Sequence, residues 1–530
     1  MWLILLLIYL ITLIYYYVIK PTRYWKDRNV TFEKPLPLFG SMLPAILGKM
    51  TNSDVFQNIY NKFPNDRYVG VFNFANPILL IRDPELIKTI TVKEFRAFSD
   101  RRPFLPDNVD RLWNRNLFAI KGYRDQKWQK LRSTISPAFT TTKMKSMLFL
   151  MKQCSKQFLE HLSKKGDFTE IELKEAFTQY GNDVIASTAF GVTCDSFSDA
   201  DNEFYVMSRD LNNLTGLKRW ALTFHVFATI AKCLNISIFS KKACDFFKAI
   251  VKKSMKLRRE KSIVRLDVLH LLMEAQKGNL NYEENNEIPD AGFAVVEESE
   301  MGKLKANQIG NVLVDDETIT AQVMILIIGG TDTTSTHMAY VLYELALNPD
   351  VQERLRREVD NTLEKSNFDI TYETLMGMKY LDMVISEVLR KWPPFIVLDR
   401  KSVKPFTIEP KHPGEQALHL SSGSFVTYSV LALHMDPKYF PDPDKFDPER
   451  FSEENKHKIQ PYTYIPFGCG PRGCVASRFA LLKTKLIITE LIGKYEIVAV
   501  RKTLIPMVMS KSHFIPIPDE GIWVGFKRRK

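Results

Sequence analysis

Residues 2–19 carry no charge and are almost all apolar or aromatic. As a helix, such a run is just long enough to span a bilayer. Lys20, Arg23, Lys26 and Arg28 follow at once, opposed only by Asp27. A basic flank on that side keeps the rest of the chain cytosolic. Neither a basic leader nor a small-residue cleavage site is present, so the pattern predicts a retained single-pass anchor rather than a cleaved signal. A buried N-terminal helix is the competing reading. Pro35 and Pro37 then mark a stiff, extended stretch or an ordinary turn-rich linker.

From about residue 54 the apolar positions mostly recur at helical spacing. Strand-like runs are few, at 68–72, 78–81 and 425–428. Asp83-Pro84-Glu85 reads as a helix start, with proline at the first helical position. The longest helix is expected over 316–347, capped by Asp315 or Asp316 and ended by Asn348-Pro349. Its 323–328 stretch is apolar all round, so it should cross the interior. Residues 277–311 are polar and read as a surface loop. No repeat or internal boundary is visible. The expected fold is mainly α with a small β region. It divides into an anchor at 1–20, a basic, proline-containing linker at 21–53, and one large catalytic domain at 54–530.

Composition changes this picture little. The 530 residues are 45% hydrophobic and 25% charged, as in a globular protein. Six scattered cysteines show no disulfide-scaffold spacing. The net charge of +12 suits an anionic surface or an acidic partner. The basic residues form no stripe with interleaved aromatics, which argues against nucleic acid.

The chemistry concentrates in Phe467-Gly468-Cys469-Gly470-Pro471-Arg472-Gly473-Cys474, which runs straight into an apolar helical pattern. Glycines let a backbone approach a flat cofactor closely. A cysteine just ahead of a helix gains thiolate character from the helix end. A thiolate ligand on haem iron favours O–O cleavage. The plainer reading is a packed cysteine in a turn. Half of a zinc site is disfavoured, because no second close pair exists among Cys154, Cys194, Cys233 and Cys244. Within the central helix, Gly329-Gly330-Thr331-Asp332-Thr333-Thr334 places two glycines and a carboxylate where helix rules disfavour them. A helix opened beside an oxygen-binding face, with a carboxylate and a hydroxyl to handle protons, fits that breach. Glu387 and Arg390 share one helical face, as do Trp128 and Arg132. Alone, each pair reads as an ordinary amphipathic surface.

Taken in order, these motifs resemble the cytochrome P-450 family over nearly the whole chain: Trp-x-x-x-Arg, Gly-Gly-x-Asp-Thr, Glu-x-x-Arg, Pro-Glu-Arg-Phe at 448–451, and the cysteine loop. The run 197–205 and the basic tail 526–530 are most similar to insect microsomal members. The resemblance implies a haem b cofactor with Cys474 as its thiolate ligand, while Cys469 packs. Arg101, Trp128, Arg132, Arg400 and Arg472 would hold the propionates, and Phe467 would belong to the haem-binding loop. Asp332 and Thr333 would deliver protons. Glu387, Arg390 and Arg450 would lock the fold.

The implied reaction inserts one atom of dioxygen into a lipophilic molecule, with xenobiotics favoured. Endogenous lipid or hormone hydroxylation is one alternative. A haem–thiolate isomerase or dehydratase is another, and the intact acid–alcohol pair argues against it. No flavin or nicotinamide pattern is apparent, so electrons should come from NADPH through a separate reductase, with cytochrome b5 as a further candidate donor. Lys127, Lys130, Lys143 and Lys145 could dock that partner. The expected location is the endoplasmic reticulum membrane. Pocket walls are expected from 104–118, 220–239, 327–330 and 394–398. One departure stands out: Ala476 occupies a position that is usually glycine in the family.

Overall fold

Amphipathic periodicity builds the larger of two cores. In the Thr141–Ser163 helix, Met144, Met147, Leu148, Met151, Phe158 and Leu162 fall on one buried face. Burying each such side chain contributes roughly 1.5–3 kcal/mol. That face packs on the Leu173–Ile185 and Ser477–Lys494 helices. The structure, a computed structural model, describes residues 2–103, 110–122, 127–213, 237–265, 267–277, 293–294, 314–511, 513 and 515–529. Most of the expected polar loop at 277–311 lies outside the described residues, as do Cys233, residues 104–109 and 220–236 of the expected pocket walls, and Lys530 of the tail.

The expected central helix is present but not continuous. Asp315 caps it, its carboxylate accepting from the Thr318 N–H at 2.8 Å. An α-helix over Asp316–Ile327 gives way to a wider π segment, Ile328–Asp332, and α-helix resumes over Thr333–Leu347. Such π segments often mark functional sites. Gly330 is where the segment meets Ile185, and a Cβ there would lie 2.5 Å from the Ile185 Cδ1. Thr333–Leu347 is buried from Thr334 to Ala346, so it crosses the interior as its pattern implied.

The smaller core sits under a four-stranded sheet. Its strands β1 (Tyr68–Asn73), β2 (Asn76–Ile81), β4 (Val397–Lys401) and β7 (Phe425–Ser429) are ordered β1-β2-β7-β4. The three strand-like runs of the sequence are β1, β2 and β7. β2 pairs with β7 in parallel and the other two pairings are antiparallel. A three-stranded sheet, β3 (Phe168–Glu172), β9 (Trp523–Arg528) and β8 (Tyr495–Val498), and a two-stranded one, β5 (Phe406–Ile408) and β6 (Leu418–Leu420), complete the β region. Asp83 caps the helix after β2 as expected, accepting from the Glu85 N–H at 3.1 Å.

The helix Trp2–Thr22 is long and apolar enough to cross a membrane. The 21–53 stretch behind it is packed, not free. Trp25 is 2% exposed and donates its indole N–H to the Val71 carbonyl at 3.2 Å. A Cβ at Gly70 would lie 2.4 Å from the Trp25 ring, so only glycine admits it. Met42 and Ala45 join the same core.

Candidate active site

The cysteine loop crosses from one core to the other. Cys469 belongs to the sheet core, its Sγ 3.3 Å from Thr91 Oγ1. Gly470 has φ +69°, and a Cβ there would stand 2.0 Å from the Thr91 carbonyl oxygen. The Gly473 N–H donates to the Gly470 carbonyl at 2.8 Å and the Cys474 N–H to the Phe467 carbonyl at 2.9 Å. Val475 and Ala476 then pack on the helical core, and the Ser477–Lys494 helix begins. Cys474 is thus held where the two cores meet.

A cavity of about 300 Å³ opens there, bounded by the loop, the π segment and β4. Its walls are mainly apolar, with Trp113, Phe118, Ile328, Phe395, Phe467 and Val475 among them. Of the expected walls, Leu117 and Phe118, Ile328–Gly330, and Pro394, Phe395 and Leu398 line it. Phe239 does not; it packs against Trp113, ring centroids 5.6 Å apart.

Four arginines from four parts of the chain line the same cavity: Arg101, Arg132, Arg400 and Arg472. Arg132, one turn beyond Trp128, donates to the Gly473 carbonyl at 3.0 Å. Arg101 donates to the Arg472 carbonyl at 3.1 Å and lies 4.6 Å from the Phe118 ring centroid. Arg400 reaches it because β4 alternates, burying Leu398 and Arg400 on one face. Arg472 donates to the carbonyls of Ser99 and Ile120, each at 2.9 Å, and stacks 4.3 Å over Trp128. These partners are mostly backbone carbonyls, which satisfy hydrogen bonds without cancelling charge. Asp100 is 4.0 Å from Arg472. Burial first, and the Arg400 guanidinium next, push Arg101 down to about 10. Burial and Arg101 push Arg472 well below its ordinary range. The Arg400 Nε is buried without a hydrogen-bond partner. An apolar cavity ringed by guanidinium groups, Arg101, Arg400 and Arg472 among them held mostly by carbonyls, calls for a flat apolar ligand with an anionic edge. Haem, with two propionates, meets that description.

Burial pushes Cys474 up, against the opposing pull of the Ala476 N–H and of Arg132 and Arg101. The helix end alone does not yield a thiolate here, because desolvation outweighs it. A metal cation bound to the sulfur removes the proton outright. Ala476 has φ −110°, a conformation open to any residue, and it lines the cavity. Purified Ala476→Gly is therefore expected to carry the same haem-to-protein ratio as the native chain. A large rise would mean that the methyl group obstructs the ligand.

Asp332 and Thr333 both line the cavity, but each is bonded elsewhere. The Asp332 carboxylate pairs with Lys174 Nζ, which also donates to Ser335 Oγ at 2.7 Å. Thr333 Oγ1 donates to the Gly329 carbonyl at 2.6 Å. A Cβ at Gly329 would meet nothing within 4 Å, so the opened turn faces free space. Sequence reading passed over Lys174 and also His337. His337 is 4% exposed, lines the cavity and has neither ring nitrogen hydrogen-bonded; burial pushes it down to about 3, so it is neutral. Its only signal in the sequence was its place one helical turn beyond Thr333.

Behind the loop, Arg390 binds Glu387 through Nε at 2.7 Å and Nη2 at 2.8 Å, both side chains fully buried. Arg450 Nε stands 3.4 Å from the same carboxylate. The three residues form one cluster at the join of the two cores.

Comparison with known proteins gives the family. The Cytochrome P450 family model matches residues 30–524. Cytochrome P450 9e2 of Blattella germanica is 40% identical over 96% of this chain and 94% of its own length. Probable cytochrome P450 9f2 of Drosophila melanogaster is 37% identical over 96% and 95%. Cytochrome P450 6k1 of Blattella germanica is 33% identical over 96% and 94%. With a cavity built for a flat dianion, a cysteine in its wall and matches along almost its full length, the chain belongs to the cytochrome P450 family of haem-thiolate monooxygenases, nearest in kind to insect members.

Proposed function

We propose that this protein oxidises lipophilic small molecules, xenobiotics above all, drawing electrons from NADPH through a separate reductase, with cytochrome b5 as a second donor. The observation that carries the reading is the apolar cavity with four arginines around it and one thiol in its wall. Cys474 would supply the thiolate ligand of the haem, and Arg101, Arg132, Arg400 and Arg472, with Trp128 stacked under Arg472, would hold its propionates. The bound haem supplies the oxygen activation. The protein's own part is to exclude water, orient the substrate and move protons. Apolar walls do the first two. Asp332 and Thr333 do the third, with Lys174 holding the carboxylate at the cavity edge.

Residues 1–20 serve as the anchor in the endoplasmic reticulum, with 21–53 as its basic link and the catalytic domain, 54–530, on the cytosolic side. The apolar Trp2–Thr22 helix and the basic residues after it support this. Lys127, Lys130 and Lys143 supply the docking face for an acidic reductase. Lys145 already pairs with Glu373 and contributes less.

The test is reconstitution in membranes with the reductase. Oxygenated product that depends on NADPH supports the reading. Rearranged or dehydrated product without NADPH would replace it with an isomerase or dehydratase. Thr333→Ala should lower product per NADPH oxidised by at least roughly tenfold, as expected when a positioned proton donor is lost. Unchanged coupling would remove Thr333 from the mechanism.

A further inference from the structure

Lys483 lies on the Ser477–Lys494 helix that leaves the cysteine loop, and it is 0% exposed. Its amino nitrogen is 2.7 Å from the Gly330 carbonyl oxygen and 2.5 Å from Thr334 Oγ1. Thr334 Oγ1 itself donates to the Gly330 carbonyl at 2.6 Å, which leaves its lone pairs for the lysine. A Cβ at Gly181 would stand 3.5 Å from the same nitrogen and 3.6 Å from Thr331 Cα. The amino group therefore fills a seam between three helices. Among the described residues no carboxylate pairs with it. Burial pushes it down to about 7, Lys174 pushes the same way, and Cys154 opposes.

A buried amine without a counter-ion is costly and persists only where something needs its donors. Here the need is visible. The π segment breaks the regular ladder, and its carbonyls need donors from outside the helix. Gly330 is pressed by Ile185 on one side, and its carbonyl is held by Lys483. The segment can then bulge only toward the cavity, where Gly329, Asp332 and Thr333 stand.

We propose that Lys483 is a positioning residue for the monooxygenation, setting how far the central helix opens by holding the Gly330 carbonyl and the Thr334 hydroxyl. The proposal rests on the reading that Asp332 and Thr333 deliver protons.

The experiment compares the membrane-bound holoenzyme with Lys483→Met and Thr334→Val. It measures the carbon-monoxide difference spectrum, amide hydrogen exchange across residues 328–334, and product formed per NADPH oxidised. Lys483→Met is expected to keep the thiolate band and to speed exchange in that segment alone. Coupling should fall about tenfold, the size of one lost charge-assisted hydrogen bond. Thr334→Val removes the hydroxyl that accepts from Lys483 and donates to the Gly330 carbonyl, and should lower coupling about threefold, because Lys483 keeps its own bond to that carbonyl. Should Lys483→Met fail to fold, Thr334→Val decides alone. Native coupling and native exchange in the variants that fold would overturn the proposal. Faster exchange throughout the protein with native coupling would also overturn it, since that marks a purely structural lysine. A native enzyme that makes no NADPH-dependent product would instead refute the function proposed above, and exchange in the segment would still decide whether Lys483 holds it.

Discussion

Cys474→Ala is expected to abolish the red-shifted Soret band of the reduced, carbon-monoxide-bound protein, and turnover with it. The expectation rests on the loop's geometry. The Cys474 N–H is tied to the Phe467 carbonyl, and Cys474 lines the cavity between the two cores. The other thiol in the loop, Cys469, cannot take its place. It is turned into the sheet core against Thr91 and Tyr428, and Gly470 beside it is locked by the Thr91 carbonyl. Cys469→Ala should therefore leave the band intact and cost only about 1 kcal/mol of packing. A thiolate band that survived Cys474→Ala and vanished with Cys469→Ala would reverse the assignment. The spectrum of membranes carrying each variant decides between them.

The largest expected loss of stability comes from breaking the cluster behind the loop. Glu387 accepts two bonds from Arg390 and one from the Asp447 N–H at 2.9 Å. Arg390 also donates to the carbonyls of His434 at 3.0 Å and Pro443 at 2.8 Å. One ion pair thereby ties the Lys379–Lys391 helix to the loops that lead into the cysteine segment. Burial pushes Glu387 up while its bonds to Arg390 pull it down, so the carboxylate depends on its partner for its charge. Arg390→Leu strips that buried carboxylate of its bidentate partner and leaves it only Arg450, at 3.4 Å, and the Asp447 N–H; removing such a partner costs roughly 3–5 kcal/mol. That is a large share of the roughly 5–15 kcal/mol that usually separates folded from unfolded. Thermal unfolding of the purified variant should show the loss, and holoprotein yield should fall with it. The double variant Glu387→Met/Arg390→Met should be less than additive, because the second change removes the stranded charge. Full additivity would mean that the two residues act separately.

The sequence made the break in the central helix legible, because two glycines and an aspartate in an apolar run violate helix preferences together. It could not show that the break is a π segment, since spacing does not reveal which carbonyls lose their partners. The cysteine loop was legible for the same reason: glycines there answer local demands, as at Gly470. The arginine ring was only partly so. Arg101, Arg132, Arg400 and Arg472 lie far apart in the chain, and β4, which presents Arg400, is short and alternates weakly. Lys483 was invisible. A lysine in an apolar helix, with Lys485 two positions on, reads as an exposed edge until its neighbours are known. The burial of Cys474, which pushes its thiol up in the absence of a metal, has no local signature in the sequence.

Trp25 has a consequence for motion. Between the apolar helix, which ends at Thr22, and this sealed indole stand only Arg23 and Tyr24. A joint of two residues spans at most about 7 Å and absorbs little rotation. With the helix seated in a bilayer, the body cannot swing on a tether; it leans as the helix leans. Helix tilt follows the match between apolar length and hydrocarbon thickness. The lipid composition of the host membrane would then set the posture of the body that carries the cavity.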